Sequence, residues 1–165
     1  MKKLFCIVVV LFIFIGASFS QSAPKFGETV LFLNKEEVKS LMKEYGFKKL
    51  YVRTVRSEKF GNALCDVISG SSDWCPMCHV FFKKGNYTPT YVDINFVTYS
   101  SGDAIGYVWK DAGYEILKAF DSELTLILVK DRQGQKYSFL AKIQTVSSRN
   151  GGYQNTTLQK IPTPK

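Results

Sequence analysis

The sequence predicts an α/β domain, a central mixed sheet flanked by helices. Three observations carry that expectation. Apolar runs of strand length alternate with segments of helical period; residues 34–46 hold a cap, one apolar face and a glycine stop; and Leu124 to Val129 is nearly all apolar, as a strand covered on both faces would be. At 165 residues the chain is one domain's worth. With 45% hydrophobic and 22% charged residues, disordered and low-complexity classes are excluded.

The first twenty residues stand apart from the fold. Lys2 and Lys3 precede twelve unbroken apolar residues, Leu4 to Ile15, and small residues then lead to a cleavage point after Ser20. That is the layout of a secretory signal peptide, and its apolar run is short for a membrane span. Residues 1–20 are therefore expected to be removed, leaving an exported chain with no stable membrane insertion. The short apolar core suits a bacterial periplasm first and a eukaryotic secretory route second. Cleavage would lower the formal charge from +8 to +6, since it removes two Lys and no acid. The remaining Lys and Arg are scattered, with no run longer than a pair, so a solvated basic surface is favoured over nucleic-acid binding. Asn86-Tyr87-Thr88 and Asn155-Thr156-Thr157 are sequons.

Residues 21–146 form the predicted domain. Thr29 to Leu33 reads as a short strand. Asn34 caps a helix over 35–45, with Glu37 completing a capping box and Val38, Leu41, Met42 and Tyr45 on one face. Leu50 to Arg56 alternates as a strand, and Ala63 to Ile68 follows as a buried one. After the turn cluster Ser69 to Asp73, a Cys-x-x-Cys pair opens a short helix running to about Lys83. Thr90 to Phe96 is a strand. A helix starting at 100–103 places Ile105, Val108, Trp109, Ala112 and Ile116 on one side. Leu124 to Val129 turns through Asp131-Arg132-Gln133-Gly134 into Lys136 to Ile143. The tail, residues 147–165, with Gly151-Gly152 and two late prolines, is expected to be irregular.

Cysteine usage carries the chemistry. Without the leader the chain keeps Cys65, Cys75 and Cys78, an odd number containing one Cys-x-x-Cys. Export places them where disulfides persist. A Cys in a helix's first turn meets unpaired N–H groups and the positive end of the dipole, which favour the thiolate. A second Cys three residues on can resolve a mixed disulfide. Pro76 has no N–H to lose there.

Ala63-Leu64-Cys65-Asp66-Val67-Ile68 followed by Trp74-Cys75-Pro76-Met77-Cys78-His79 resembles the central strand and Trp-Cys-x-x-Cys motif of the thioredoxin-like superfamily. Glu123 to Gln135 is similar to that family's later hairpin. The resemblance implies a thioredoxin-like sheet with an N-terminal strand–helix–strand extension, and an exported thiol–disulfide oxidoreductase. Cys75 would attack and Cys78 resolve, the two forming a redox-active disulfide, with no other cofactor and no metal. Trp74 would shield the site and His79 add positive charge. Asp66 would accept the resolving proton. Leu124 stands where the family has its cis-proline, followed by Thr125. Partners would be protein clients bearing thiols or disulfides, and a redox partner protein.

Three alternatives stay open. Cys75, Cys78 and His79 satisfy the Cys-x-x-Cys-His pattern of c-type haem attachment. Cys65, Cys75, Cys78 and His79 could be zinc ligands, although adjacent Cys78 and His79 make this awkward. A thioredoxin-fold binding module with a structural disulfide would have no catalysis at all. Cys65, in mid-strand, reads as an inert buried thiol.

Overall fold

The computed structural model describes residues 23–98, 112–120, 123–148 and 151–162. Two short helices precede one antiparallel sheet. The first helix, α1, covers 23–30 in its described part, and α2 spans Lys35–Glu44. Eight strands follow: β1 Lys48–Ser57, β2 Ala63–Ser71, β3 Met77–Lys83, β4 Tyr91–Thr98, β5 Glu115–Phe120, β6 Glu123–Arg132, β7 Gln135–Ser148 and β8 Gly151–Ile161. Their order across the sheet is β1-β2-β3-β4-β8-β7-β6-β5. Two four-strand meanders are thus joined at a β4–β8 seam, with every pairing antiparallel.

This corrects the thioredoxin-like expectation, because every described strand pairing is antiparallel and no helix opens at Cys75. The residues after it form β3, in which Cys78, Val80 and Phe82 are buried while Met77, His79 and Phe81 take the other face. Alternate residues point to opposite sides only in a strand. The segment read as a strand at 29–33 is the end of α1 and a turn. Ala23, Phe26, Val30 and Leu31 are fully buried, and their i, i+3, i+7, i+8 spacing is that of one helical face. Residues 100–111 of the helix expected after β4 lie outside the described residues, and Ile116 belongs to β5. The tail read as irregular supplies β8, a central strand, so the domain extends past residue 146. The leader at 1–20 lies outside the described residues.

The α2 capping box forms as read: Asn34 accepts from the Glu36 and Glu37 amides, and the Glu37 carboxylate accepts from Asn34 N–H. Both helices pack on one face of the sheet, where Phe26, Leu31, Met42, Ile68, Phe82, Ile94 and Leu158 share one core. Gly27 sets how closely α1 approaches the seam. A Cβ there would lie 3.0 Å from Ile94 Cδ1 and 3.1 Å from Leu158 Cδ2, one residue from each side of the β4–β8 pair. The helix therefore rests directly behind the seam; the opposite, open face carries no described helix, although Cys65, Val67 and Ser69 on it are buried.

Candidate functional site

Cys75 sits in the turn between β2 and β3, and Cys78 is the second residue of β3. Ser72 N–H donates to the Cys75 carbonyl at 2.8 Å and Cys75 N–H to Ser72 Oγ at 3.1 Å, closing the turn on itself. Trp74 anchors it to the helices: its indole N–H donates to the Tyr45 carbonyl at 2.9 Å, and its ring meets Phe26, Tyr45 and Phe47. Both sulfurs enter this core. Cys75 and Cys78 are free thiols with no solvent exposure, and the Cys75 thiol donates to the Met77 carbonyl at 3.2 Å. Burial, reinforced by a hydrogen bond with Cys75, pushes the Cys78 thiol well above the ordinary cysteine range. No helix begins at Cys75, so the dipole expected to favour its thiolate has no source.

The other predicted site residues disperse. Pro76 is exposed in the turn. Asp66 is ion-paired with Lys35 and accepts from Thr54 at 2.7 Å; the Lys35 hydrogen bond, then the Thr54 bond, hold its carboxyl below the usual range. It lies four residues along β2 from Gly70, the register partner of Cys78, about 14 Å away at ~3.4 Å per residue. Leu124 and Thr125 are in β6, opposite Ile143 and Lys142 of β7. Four strand steps separate β6 from β3, roughly 19 Å at ~4.8 Å each, so neither faces the cysteines.

Alternation also separates the haem and zinc ligand sets. Cys78 points into the core while His79, the next residue of the strand, is on the open face with Ser69. One zinc ion cannot bind both without breaking β3, and a haem bonded through the Cys78 sulfur on the core face would not meet His79 on the other face as its iron ligand. Cys65 is buried too, on the face away from Cys78, since it pairs with Lys83 while Cys78 pairs with Gly70.

The open face of the seam holds what the sequence reading passed over. Ser69, His79, Asp93 and Thr157 are successive register partners across β2, β3, β4 and β8, and Met77, Asn95, Asn155 and Gln144 form the adjacent row across β3, β4, β8 and β7. The short 3₁₀ turn Glu58–Phe60 brings Lys59 to them. Lys59 Nζ donates to Asp93 Oδ1 and Oδ2 at 3.1 and 3.3 Å and to Thr157 Oγ1 at 3.1 Å, and lies 4.9 Å from the Tyr91 ring centroid. Thr157 Oγ1 donates to Asp93 Oδ1 at 2.7 Å, and Asn95 Nδ2 to Asn155 Oδ1 at 2.6 Å. Among them, Lys59, Met77, His79, Asp93, Asn95, Gln144, Asn155 and Thr157 line a groove of about 240 Å³. Asn95 Oδ1 is buried there with no hydrogen-bond partner among the described residues. The signal was present as polar alternation, Tyr91-Asp93-Asn95 between Val92 and Ile94, and Asn155-Thr157-Gln159 around Thr156 and Leu158.

His79 is half-buried, with Nδ1 2.7 Å from Ser69 Oγ. Burial, then Arg53, lower its pKa from 6.5 against an opposing pull from Asp93. The unfolded chain therefore binds this proton more readily than the fold does. The His79 contribution is fully present above pH 6.5 and is lost as pH falls through its folded value. We expect an NMR titration of this single histidine to give a midpoint below 6.5, with stability to urea decreasing over that same window. A midpoint at or above 6.5 would mean Asp93 governs the ring instead.

Comparison of the chain with family models, curated proteins and solved structures finds no match. Among the described residues no helix is long and apolar enough to cross a membrane, and no cluster of three or more His, Cys, Asp or Glu is placed to hold a metal ion.

Proposed function

We propose that this protein is an exported, non-catalytic binding module: the groove on the open sheet face takes a small polar ligand, and Cys75 with Cys78 forms a structural disulfide. The observation that carries the binding role is the convergence of hydrogen-bonding side chains from four strands and the Lys59 turn around a buried, unpartnered acceptor, Asn95 Oδ1. Binding sites place a few polar groups on rigid elements in this way, and a buried acceptor left without a donor is costly to keep. The structural role of the cysteines rests on burial. An exchange nucleophile must reach its client as a thiolate, whereas both sulfurs are inside the core and Cys78 is held protonated. The hydrogen bond between the two thiols brings their sulfurs together for a disulfide bond.

A screen of uncharged polar fragments by NMR, reading the ring of the single histidine, tests the binding role. Hits should shift His79 and disappear in Asn155→Trp, whose indole fills the groove from an exposed position. Fragments that bind elsewhere, or none at all, would defeat it. For the cysteines, iodoacetamide should label the reduced Cys75 and Cys78 only after unfolding. Rapid labelling of Cys75 in the folded protein, with mixed disulfides accumulating in Cys78→Ser, would instead establish disulfide exchange with protein clients.

A further inference from the structure

Resting on the groove as a binding site, we propose that its ligand is a monosaccharide-sized sugar lying across β3, β4, β8 and β7. The groove's own charges are already matched, because the Lys59 ammonium is held by both Asp93 oxygens and by Thr157. An anion would have to take Lys59 from Asp93, and a cation would have to take Asp93 from Lys59. What stays open to a ligand is neutral hydrogen bonding.

That capacity is laid out in a row. Asn95, Asn155 and Gln144 are register neighbours on three adjacent strands, so their amides repeat at the strand spacing of ~4.8 Å. Each amide offers donors and an acceptor on one plane, and each sugar hydroxyl both donates and accepts. Asn95 Oδ1 supplies the fixed point: one of its amide hydrogens is given to Asn155, and its oxygen has no partner, so it accepts from a ligand hydroxyl. Met77, opposite Asn95 and 47% exposed, gives the ring's C–H face an apolar contact. The volume of about 240 Å³ lies below the ~300–1,000 Å³ of pockets for drug-sized ligands, which restricts the occupant to one ring.

The test titrates the full chain separately with glucose, galactose, mannose, N-acetylglucosamine, inorganic phosphate and glycylglycine, following the His79 ring and the side-chain amides of Asn95 and Asn155. At least one sugar should give saturable shifts at all three residues, while phosphate and the dipeptide should not. Asn155→Ala should weaken that sugar by about tenfold or more, the loss of a ligand hydrogen bond or two. Asn86→Ala, an exposed asparagine outside the groove, should leave affinity unchanged. Shifts with phosphate or dipeptide alone would overturn the sugar and leave the groove a binding site. No sugar response, in a protein whose groove still takes fragments, would overturn it likewise. Undiminished sugar binding in Asn155→Ala would place the sugar elsewhere and overturn it as well. Failure of the fragment screen itself removes the underlying reading.

Discussion

Phe26→Ala should cost about 3–5 kcal/mol of stability, the usual loss for emptying a fully buried phenylalanine site, and should also expose the cysteine pair. Phe26 has no solvent exposure, and its ring centroid lies 5.1, 5.3 and 6.0 Å from those of Tyr45, Phe47 and Trp74. These rings hold α1 against the turn carrying Cys75. Their loss lowers the free energy of opening that turn as well as of unfolding the whole chain. Urea denaturation measures the global part, and alkylation of the reduced protein in native buffer measures the local part. Phe139→Ala is the control: Phe139 is equally buried but lies in β7, 5.7 Å from Phe32, away from the cysteines. At matched global stability, Cys75 and Cys78 should react faster in Phe26→Ala. Equal rates would show that the aromatic cluster does not guard the thiols.

Local signals located several elements, though not α1, whose last residues were read as a strand at 29–33. The capping box at Asn34 and Glu37 located α2, alternation located β1, and the strand readings at 63–68 and 90–96 fall on β2 and β4. The β6–β7 hairpin followed from its turn residues. Gln133 and Gly134 take positive φ, 54° and 79°, as a two-residue hairpin of the type I′ kind requires. What failed is equally specific. In β3 the outward residues Met77 and Phe81 are themselves apolar, so the period of two was hidden, and the Cys-x-x-Cys motif supplied a helix by analogy. Gly151, Gly152 and a polar run of Asn and Thr disguised β8. That strand is stabilised by pairing with β4, sixty residues earlier in the register Asn95 to Asn155, a contact no local propensity reports. The groove was illegible for the same reason. Its members come from segments around residues 59, 79, 93, 144 and 155, and only the seam brings them together. Asp93 or Asn155 alone reads as a solvated strand residue.

The seam gives the two faces of the sheet different tasks. Behind it, Gly27 lets α1 sit against Ile94 and Leu158, fixing the backbones of β4 and β8. In front, those same backbones set the spacing of Asp93, Asn95, Asn155 and Thr157. A Cβ at position 27 would require Ile94 and Leu158 to give way by a few tenths of an ångström. Rigid support of this kind lets polar side chains be held ready for a ligand rather than ordered by it.

Leu124→Pro should destabilise the protein by about 2–4 kcal/mol, reversing what the thioredoxin-like alignment implied for that position. Under that alignment Leu124 stands at a loop site where proline is at home. In the structure it lies inside β6, opposite Ala119 of β5 and Ile143 of β7 at once. A strand paired on both sides uses its N–H groups in one ladder or the other, and proline has none to give. Its ring also crowds the neighbouring strand, which is why interior strands exclude it. Leu124→Ile, which keeps the N–H and nearly the same volume, should cost less than about 1.5 kcal/mol. Urea midpoints of the two variants, with far-ultraviolet circular dichroism to follow strand content, make the comparison. The proline variant should lose stability far beyond the isoleucine one. Equal stabilities would mean that residue 124 is not inside a doubly paired strand, and the second meander would have to be redrawn.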